Sequence, residues 1–162
     1  MARLETRKSK SKSNASEVAE RAWQHAIRLL AARDRSEQEI RDRLAAGGET
    51  AATITATVRR LRQRRYLDDQ RLALGAGEHA VRRGYGSEYL RAQLGHKGVA
   101  DRLIDEAVEA AYTDEIGLAR RVLARKFPVE PQRPAERAKA ARFLLRRGFP
   151  ESVVFAILDE AC

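Results

Sequence analysis

Asp68 and Asp69 stand side by side, and adjacent carboxylates could hold a metal ion or divide general acid and base work between them. No third ligand lies at helical spacing, however, and acids at the start of a helix complement its dipole, so helix capping accounts for the pair. His25, His79 and His96 make neither an HExxH pattern nor a cysteine–histidine pattern. Ser36 and Ser87 have no partner arrangement that would make either a nucleophile. Cys162 is the only cysteine, which excludes an internal disulfide and a multi-cysteine zinc site. These residue types point away from an enzyme, a metal centre or a cofactor.

The cationic segments are more informative. Residues 82–90, RRGYGSEYL, place two glycines before a helix, a geometry that can cradle phosphate. No strand precedes the loop and the Lys-Ser/Thr of a P-loop is missing, so nucleotide binding is not expected. Two readings remain: a plain turn in which Gly84 and Gly86 relieve backbone strain, or a binding loop in which Arg82 and Arg83 flank Tyr85. Two basic stripes join it. Arg59 and Arg62 share a helix face within RRLRQRR, and Lys139, Arg142 and Arg146 recur at helical spacing on the side away from Leu144. Each stripe is either a solvated face or a surface for an anionic partner. Trp23, Phe143, Phe149 and Phe155 lie at or beside apolar positions and are assigned to the core.

The elements that must carry these residues follow from composition and periodicity. Ala, Arg, Leu and Glu dominate the 162 residues, β-branched and aromatic residues are sparse, and 43% of the chain is hydrophobic. That is helix-forming chemistry with enough apolar material for a core, so the expected fold class is all-α. No apolar run approaches the roughly 20 residues of a membrane span, and no apolar stretch of a signal peptide follows Met1. The reading is a reduced, cytoplasmic protein.

Sliding the sequence by fifty residues superimposes three segments. Gly48, Gly98 and Gly148 coincide, as do Leu44, Leu94 and Leu144 four residues earlier, with Ile40, Leu90 and Ala140 before them. Downstream, Ile54, Ile104 and Val154 coincide, followed by Val58, Val108 and Leu158. An apolar i, i+4 pair that ends four residues before a glycine describes an amphipathic helix and its stop. Each unit adds a leading helix, marked by Trp23, Ile27 and Leu30 in the first and by Ile116, Val122 and Leu123 in the third. The expected architecture is three tandem three-helix repeats in an elongated, curved array: residues 20–67, 68–112 and 113–161.

Punctuation supports these boundaries. Ser36 with Glu39 reads as a capping box, Asp68–Asp69 and Thr113–Glu115 mark helix starts, and Pro134 and Pro150 suit first turns. Pro128–Arg133 reads as a loop. Gly75 and Gly77 inside the second unit's first helix imply an element that is either loose or closely packed. The formal charge of +9 is uneven. Residues 1–16 carry five basic groups against one acid, and this tail (1–16) is expected to be disordered. The balance is eleven basic against seven acidic in residues 17–67, six against eight in 68–112, and ten against seven in 113–162. The body is therefore positive, negative, positive along its length.

The segments AIRLLAARDRSEQEIRDRL (26–44), RRYLDDQRLA (64–73), RRGYGSEYLRAQLGHKGV (82–99), LARKF (123–127) and RFLLRRGFPESVV (142–154) together resemble the RecX regulators of the bacterial RecA recombinase. The resemblance spans about residues 20–160. Leu72 departs from the aromatic usual after the family's Asp-Asp-x-Arg, and Gly75 and Gly77 are also unusual there. What the resemblance implies is a non-enzymatic row of three-helix repeats that binds the groove of the RecA–DNA filament and restrains its ATPase, strand-exchange and coprotease activities, in DNA repair and the SOS response. The implied partners are the recombinase filament and DNA, single- or double-stranded, with no cofactor, no membrane and a monomeric chain. The residues expected to make contacts are Arg82, Arg83, Arg91 and Lys97, then Arg59, Arg62, Arg142 and Arg146. The alternatives are a helix-turn-helix-like transcription regulator, which would read bases with one helix of a pair of half-sites, and a repeat scaffold without a nucleic-acid role.

Overall fold

Gly48, Gly98 and Gly148, one period apart, all adopt the left-handed conformation, with φ of +85°, +68° and +77°. In the computed structural model of the chain each closes a helix in the same way: the N–H of the next residue reaches back to the buried leucine's carbonyl. Glu49 N donates to Leu44 O at 3.1 Å, Val99 N to Leu94 O at 3.1 Å, and Phe149 N to Leu144 O at 3.2 Å. Glycine takes this conformation without the Cβ penalty that other residues meet.

The structure describes residues 2–159, and among these it contains helices and no strand. In chain order they are α1 (Ala2–Ala32), α2 (Glu37–Ala46), α3 (Ala51–Gln63), α4 (Asp69–Arg83), α5 (Ser87–His96), α6 (Asp101–Ala111), α7 (Glu115–Lys126), α8 (Pro134–Arg146) and α9 (Glu151–Asp159). Side chains are described from Asn14 to Leu158. The expected tail falls at the head of α1, and its basic groups, like Cys162, lie outside that range.

The chain divides into two compact units, residues 1–69 and 70–162. In the first, α1–α3 enclose Ala22, Trp23, Ala26, Ile40, Leu44, Ile54, Val58, Leu61 and Leu67. In the second, α4–α6 enclose Ala73, Leu90, Leu94, Val99, Ile104 and Ala107, while α7–α9 enclose Leu118, Ala119, Val122, Leu123, Ala140, Leu144, Phe149 and Val154. Val81 and Tyr112, from the elements of the first of these clusters, also pack against the other. That sharing joins two sets of three helices in one compact unit.

The apolar columns are the centre of each cluster. Leu44, Leu94 and Leu144 are wholly buried, as are Ile40, Leu90 and Ala140. Each such leucine contributes about 1.5–3 kcal/mol relative to an exposed position. Two assignments need correction. Ile116 is 39% exposed, because the buried face of α7 is Leu118, Ala119, Val122 and Leu123. Phe155 is 59% exposed on α9, whose inward side is taken by Val154.

Local signals at the helix ends behave as their chemistry dictates. Ser36 Oγ accepts from Glu39 N at 3.1 Å and the Glu39 carboxylate accepts from Ser36 N at 3.0 Å, which makes the capping box. Asp114 caps α7 by accepting from Gly117 N at 2.8 Å. Pro134 opens α8, whereas Pro150 directly precedes α9 and its carbonyl accepts from Val154 N. In α4 the two glycines part company. Gly75 is exposed with open space where a Cβ would point, while a Cβ at buried Gly77 would stand 3.0 Å from Ala111 Cβ. Close approach of α4 to α6 therefore explains Gly77, and Gly75 is an unfilled helix position.

Candidate nucleic-acid and protein interface

The candidate surface is built on two loops of the second compact unit that carry the same tetrapeptide pattern, two arginines, glycine and an aromatic: Arg82–Tyr85 and Arg146–Phe149. Gly84 and Gly148 both take positive φ, +71° and +77°, so each loop turns sharply after its arginines. The turns then lock together through their backbones. Gly86 N donates to Arg147 O at 2.9 Å and Glu88 N donates to Gly148 O at 3.0 Å. Gly86 itself has an ordinary negative φ of −84°, so it does not relieve strain. It is required by proximity, since a Cβ there would collide with Gly148 O and Phe149 N.

Side chains reinforce the seam. Arg147 Nη1 donates to Arg83 O at 2.9 Å and to Gly84 O at 3.1 Å, and its guanidinium lies 5.2 Å from the Tyr85 ring centroid. Tyr85 stacks on Tyr89 with centroids 4.1 Å apart and rings 15° from parallel. The Tyr112 hydroxyl donates to Tyr85 O at 3.1 Å, and burial, followed by the nearby Glu115 charge, pushes that hydroxyl well above its usual titration range. Glu115 accepts from Ser87 N at 2.7 Å and from Ser87 Oγ at 3.0 Å.

This geometry settles the chemistry of the α5 N-terminus. The N–H groups of Ser87 and Glu88, which a phosphate would need, are already bound to Glu115 and Gly148. The seam instead holds cations on a fixed backbone. Arg82, Arg83 and Arg146 are exposed, whereas Arg147 is partly buried in the contact.

The remaining expected contact residues are scattered. Arg91 pairs with Asp105 at 2.5 Å across α5 and α6, so its charge is partly satisfied within the fold. Lys97 caps α5, and Arg142 lies exposed on α8. In the first unit, Arg59 and Arg62 are exposed on α3, and Arg62 lies 3.8 Å from Glu37. Arg60 of the same run sits 3.9 Å over the Trp23 ring and 3.5 Å from Glu20, so it supports packing more than it offers charge.

Arg147, Tyr89 and Glu115 are members of the seam that periodicity missed. The signal for Arg147 was present as the repeated Arg-Arg-Gly-aromatic pattern. Its copies lie 64 residues apart, so a fixed shift of fifty never superimposes them. Among the described residues there is no group of three or more His, Cys, Asp or Glu able to hold a metal ion, and no helix long and apolar enough to cross a membrane.

Two family models match the chain. One, described as RecX, first three-helix domain, matches residues 22–61, and the other, RecX, third three-helix domain, matches residues 113–158. The chain is 40% identical over 124 residues to a protein named regulatory protein RecX of Chromohalobacter salexigens, covering 76% of this chain and 82% of that one. It is 34% identical over 138 residues to the protein of the same name of Vibrio vulnificus, covering 84% of this chain and 90% of that one. A crystal structure of RecX from Lactobacillus salivarius superimposes with a TM-score of 0.74 at 20% identity, covering 90% of this chain and 97% of that one, which is a likeness of fold. With its helical repeats, its glycine-closed turns and these relatives, the chain belongs to the RecX family of regulatory proteins.

Proposed function

We propose that the protein binds the RecA–DNA filament and restrains its ATPase, strand-exchange and coprotease activities, acting in the cytoplasm as a monomer without cofactor or catalysis. The observation that carries this reading is the locked seam, where Gly86 N–Arg147 O and Arg147–Arg83 O hold Arg82, Arg83 and Arg146 on one continuous backbone contact. A rigid support keeps the entropy cost of ordering these arginines on a partner low. Phosphates and acidic recombinase surfaces both suit such a cation cluster. Arg59, Arg62, Arg91, Lys97 and Arg142 add weaker contacts, and several modest contacts on one chain act with high effective concentration. In this reading the three repeats, 20–67, 68–112 and 113–161, are the units that meet successive parts of the filament.

The test is a titration into a DNA-activated recombinase ATPase assay with imaging of the filaments. Saturating protein inhibits and decorates the filaments. The triple substitution R82E, R83E and R146E weakens inhibition while leaving the helical signal intact. Full inhibition by that variant would remove the seam from the mechanism, and absence of any filament association by the unmodified protein would remove the function.

A further inference from the structure

We propose that Arg65 and Tyr66, at the end of α3, form a contact for single-stranded nucleic acid, with the guanidinium on a phosphate and the tyrosine ring under a base. Both residues lie outside the seam and outside the set of arginines and lysine expected to meet the filament. Five helices close with the same backbone pattern, and at four of them the left-handed position is glycine: Gly48, Gly84, Gly98 and Gly148. At the fifth it is Arg65, with φ +57°. Arg65 N donates to Arg62 O at 3.0 Å and Tyr66 N to Leu61 O at 2.9 Å, matching the glycine closures. A left-handed non-glycine residue is strained, and glycine would relieve that strain.

Neither packing nor helix electrostatics accounts for the arginine. Its side chain is exposed and has no ion-pair partner among the described residues. The C-terminal dipole of α3 is already met by Arg60 and Arg62 in the last turn and by Arg64 at the cap. Those cations are also engaged: Arg60 with Trp23 and Glu20, Arg62 with Glu37, and Arg64 at 5.5 Å from the Trp23 ring. Arg65 is the charge that the turn aims outward.

Beside it, Tyr66 is 51% exposed, yet its ring rests edge-on against Trp23 with centroids 5.9 Å apart. A ring held on one side and open on the other is a stacking platform, and unpaired bases stack on such rings without sequence preference. Duplex DNA hides its base faces, and an acidic protein surface offers none, so the aromatic selects a single strand.

The experiment uses the full chain without recombinase, so its outcome is independent of filament binding. Fluorescence anisotropy with a labelled oligothymidylate is measured over a salt series, with polyglutamate as a second anionic probe, and melting is followed in parallel. R65G is expected to melt a few degrees higher, because strain is released, while binding the oligonucleotide more weakly. Its slope of log affinity against log salt should fall by about 0.7, one single-strand phosphate contact. R65K keeps most of the affinity, and Y66A loses about fivefold or more for the oligonucleotide alone. Unchanged affinity and salt slope in R65G would overturn the proposal. So would equal losses on both probes with no effect of Y66A, which would mark a general anion or acidic-protein surface.

Discussion

The Glu115 carboxylate at the start of α7 accepts both the backbone N–H and the hydroxyl of Ser87, at 2.7 and 3.0 Å, and so caps α5, a helix of the preceding set of three. Asp69, at the start of α4, does the corresponding thing to α2, accepting from Glu37 N at 2.9 Å. In both places an acid that follows the set of three in the chain satisfies a free N–H on its middle helix, and the Asp69–Glu37 bond lies within the first compact unit. Acids that would ordinarily serve their own helix dipole here cap a different helix.

Replacing Glu115 with Ala leaves a partly buried N–H and hydroxyl without acceptor. The variant should lose about 1–3 kcal/mol in urea denaturation, with E115Q falling between it and the unmodified chain. Equal stability of E115A and the unmodified protein would show that water replaces the carboxylate.

The glycines offer opposite outcomes. G75A fills an exposed helix position with open space around it and should stabilise by about 0.5–1 kcal/mol. G86A drives a methyl group into the backbone of Gly148 and Phe149, which cannot yield as a flexible side chain can. It should destabilise by about 2 kcal/mol or more and lower the protection of the Gly86 amide in hydrogen exchange.

Burial raises the Asp69 carboxyl above its usual 3.8, a shift the hydrogen bond from Glu37 N only partly offsets. The folded chain therefore takes up this proton before the unfolded chain does as pH falls. Its contribution to stability is largest below 3.8, is lost as pH rises through the raised value, and is flat above it. D69N, neutral but still able to accept from Glu37 N, should remove this pH slope and match or exceed the unmodified chain at neutral pH. D69A, with no acceptor, should be less stable by about 1 kcal/mol, and denaturation at several pH values reads both effects.

Arg91 differs from its neighbours in being paired. Because Asp105 already holds it at 2.5 Å, R91A should reduce filament inhibition less than R82A does. The pair is exposed, so its loss should cost about 1 kcal/mol at most. A larger functional loss from R91A than from R82A would place the contact surface on α5 instead of the seam.

Much of the fold was legible because its signals are local. Leu44, Leu94 and Leu144 announce themselves by spacing, and the glycines after them by the φ that a helix stop demands. Phe155 and Ile116 were misassigned for the same reason. Hydrophobicity at roughly the right spacing does not say which side of a short helix faces the core, and Val154 and Leu118 occupy that side instead. In the candidate site, Arg82 and Arg83 were legible as a basic run, whereas Arg147 was marked only by the repeated Arg-Arg-Gly-aromatic pattern, and its contact with them forms only after 64 residues of chain have folded back.

By itself the sequence determined the all-helical class, the fifty-residue period and the places where each helix must stop, since propensity, apolar spacing and left-handed turns act within a few residues. Tertiary structure decided which acid caps which helix, why Gly86 must be glycine, and which arginines remain available to a partner. Those outcomes depend on distances between residues far apart in the chain: a carboxylate serves the N–H it reaches, and an arginine is free only when no carboxylate, carbonyl or ring has been brought beside it.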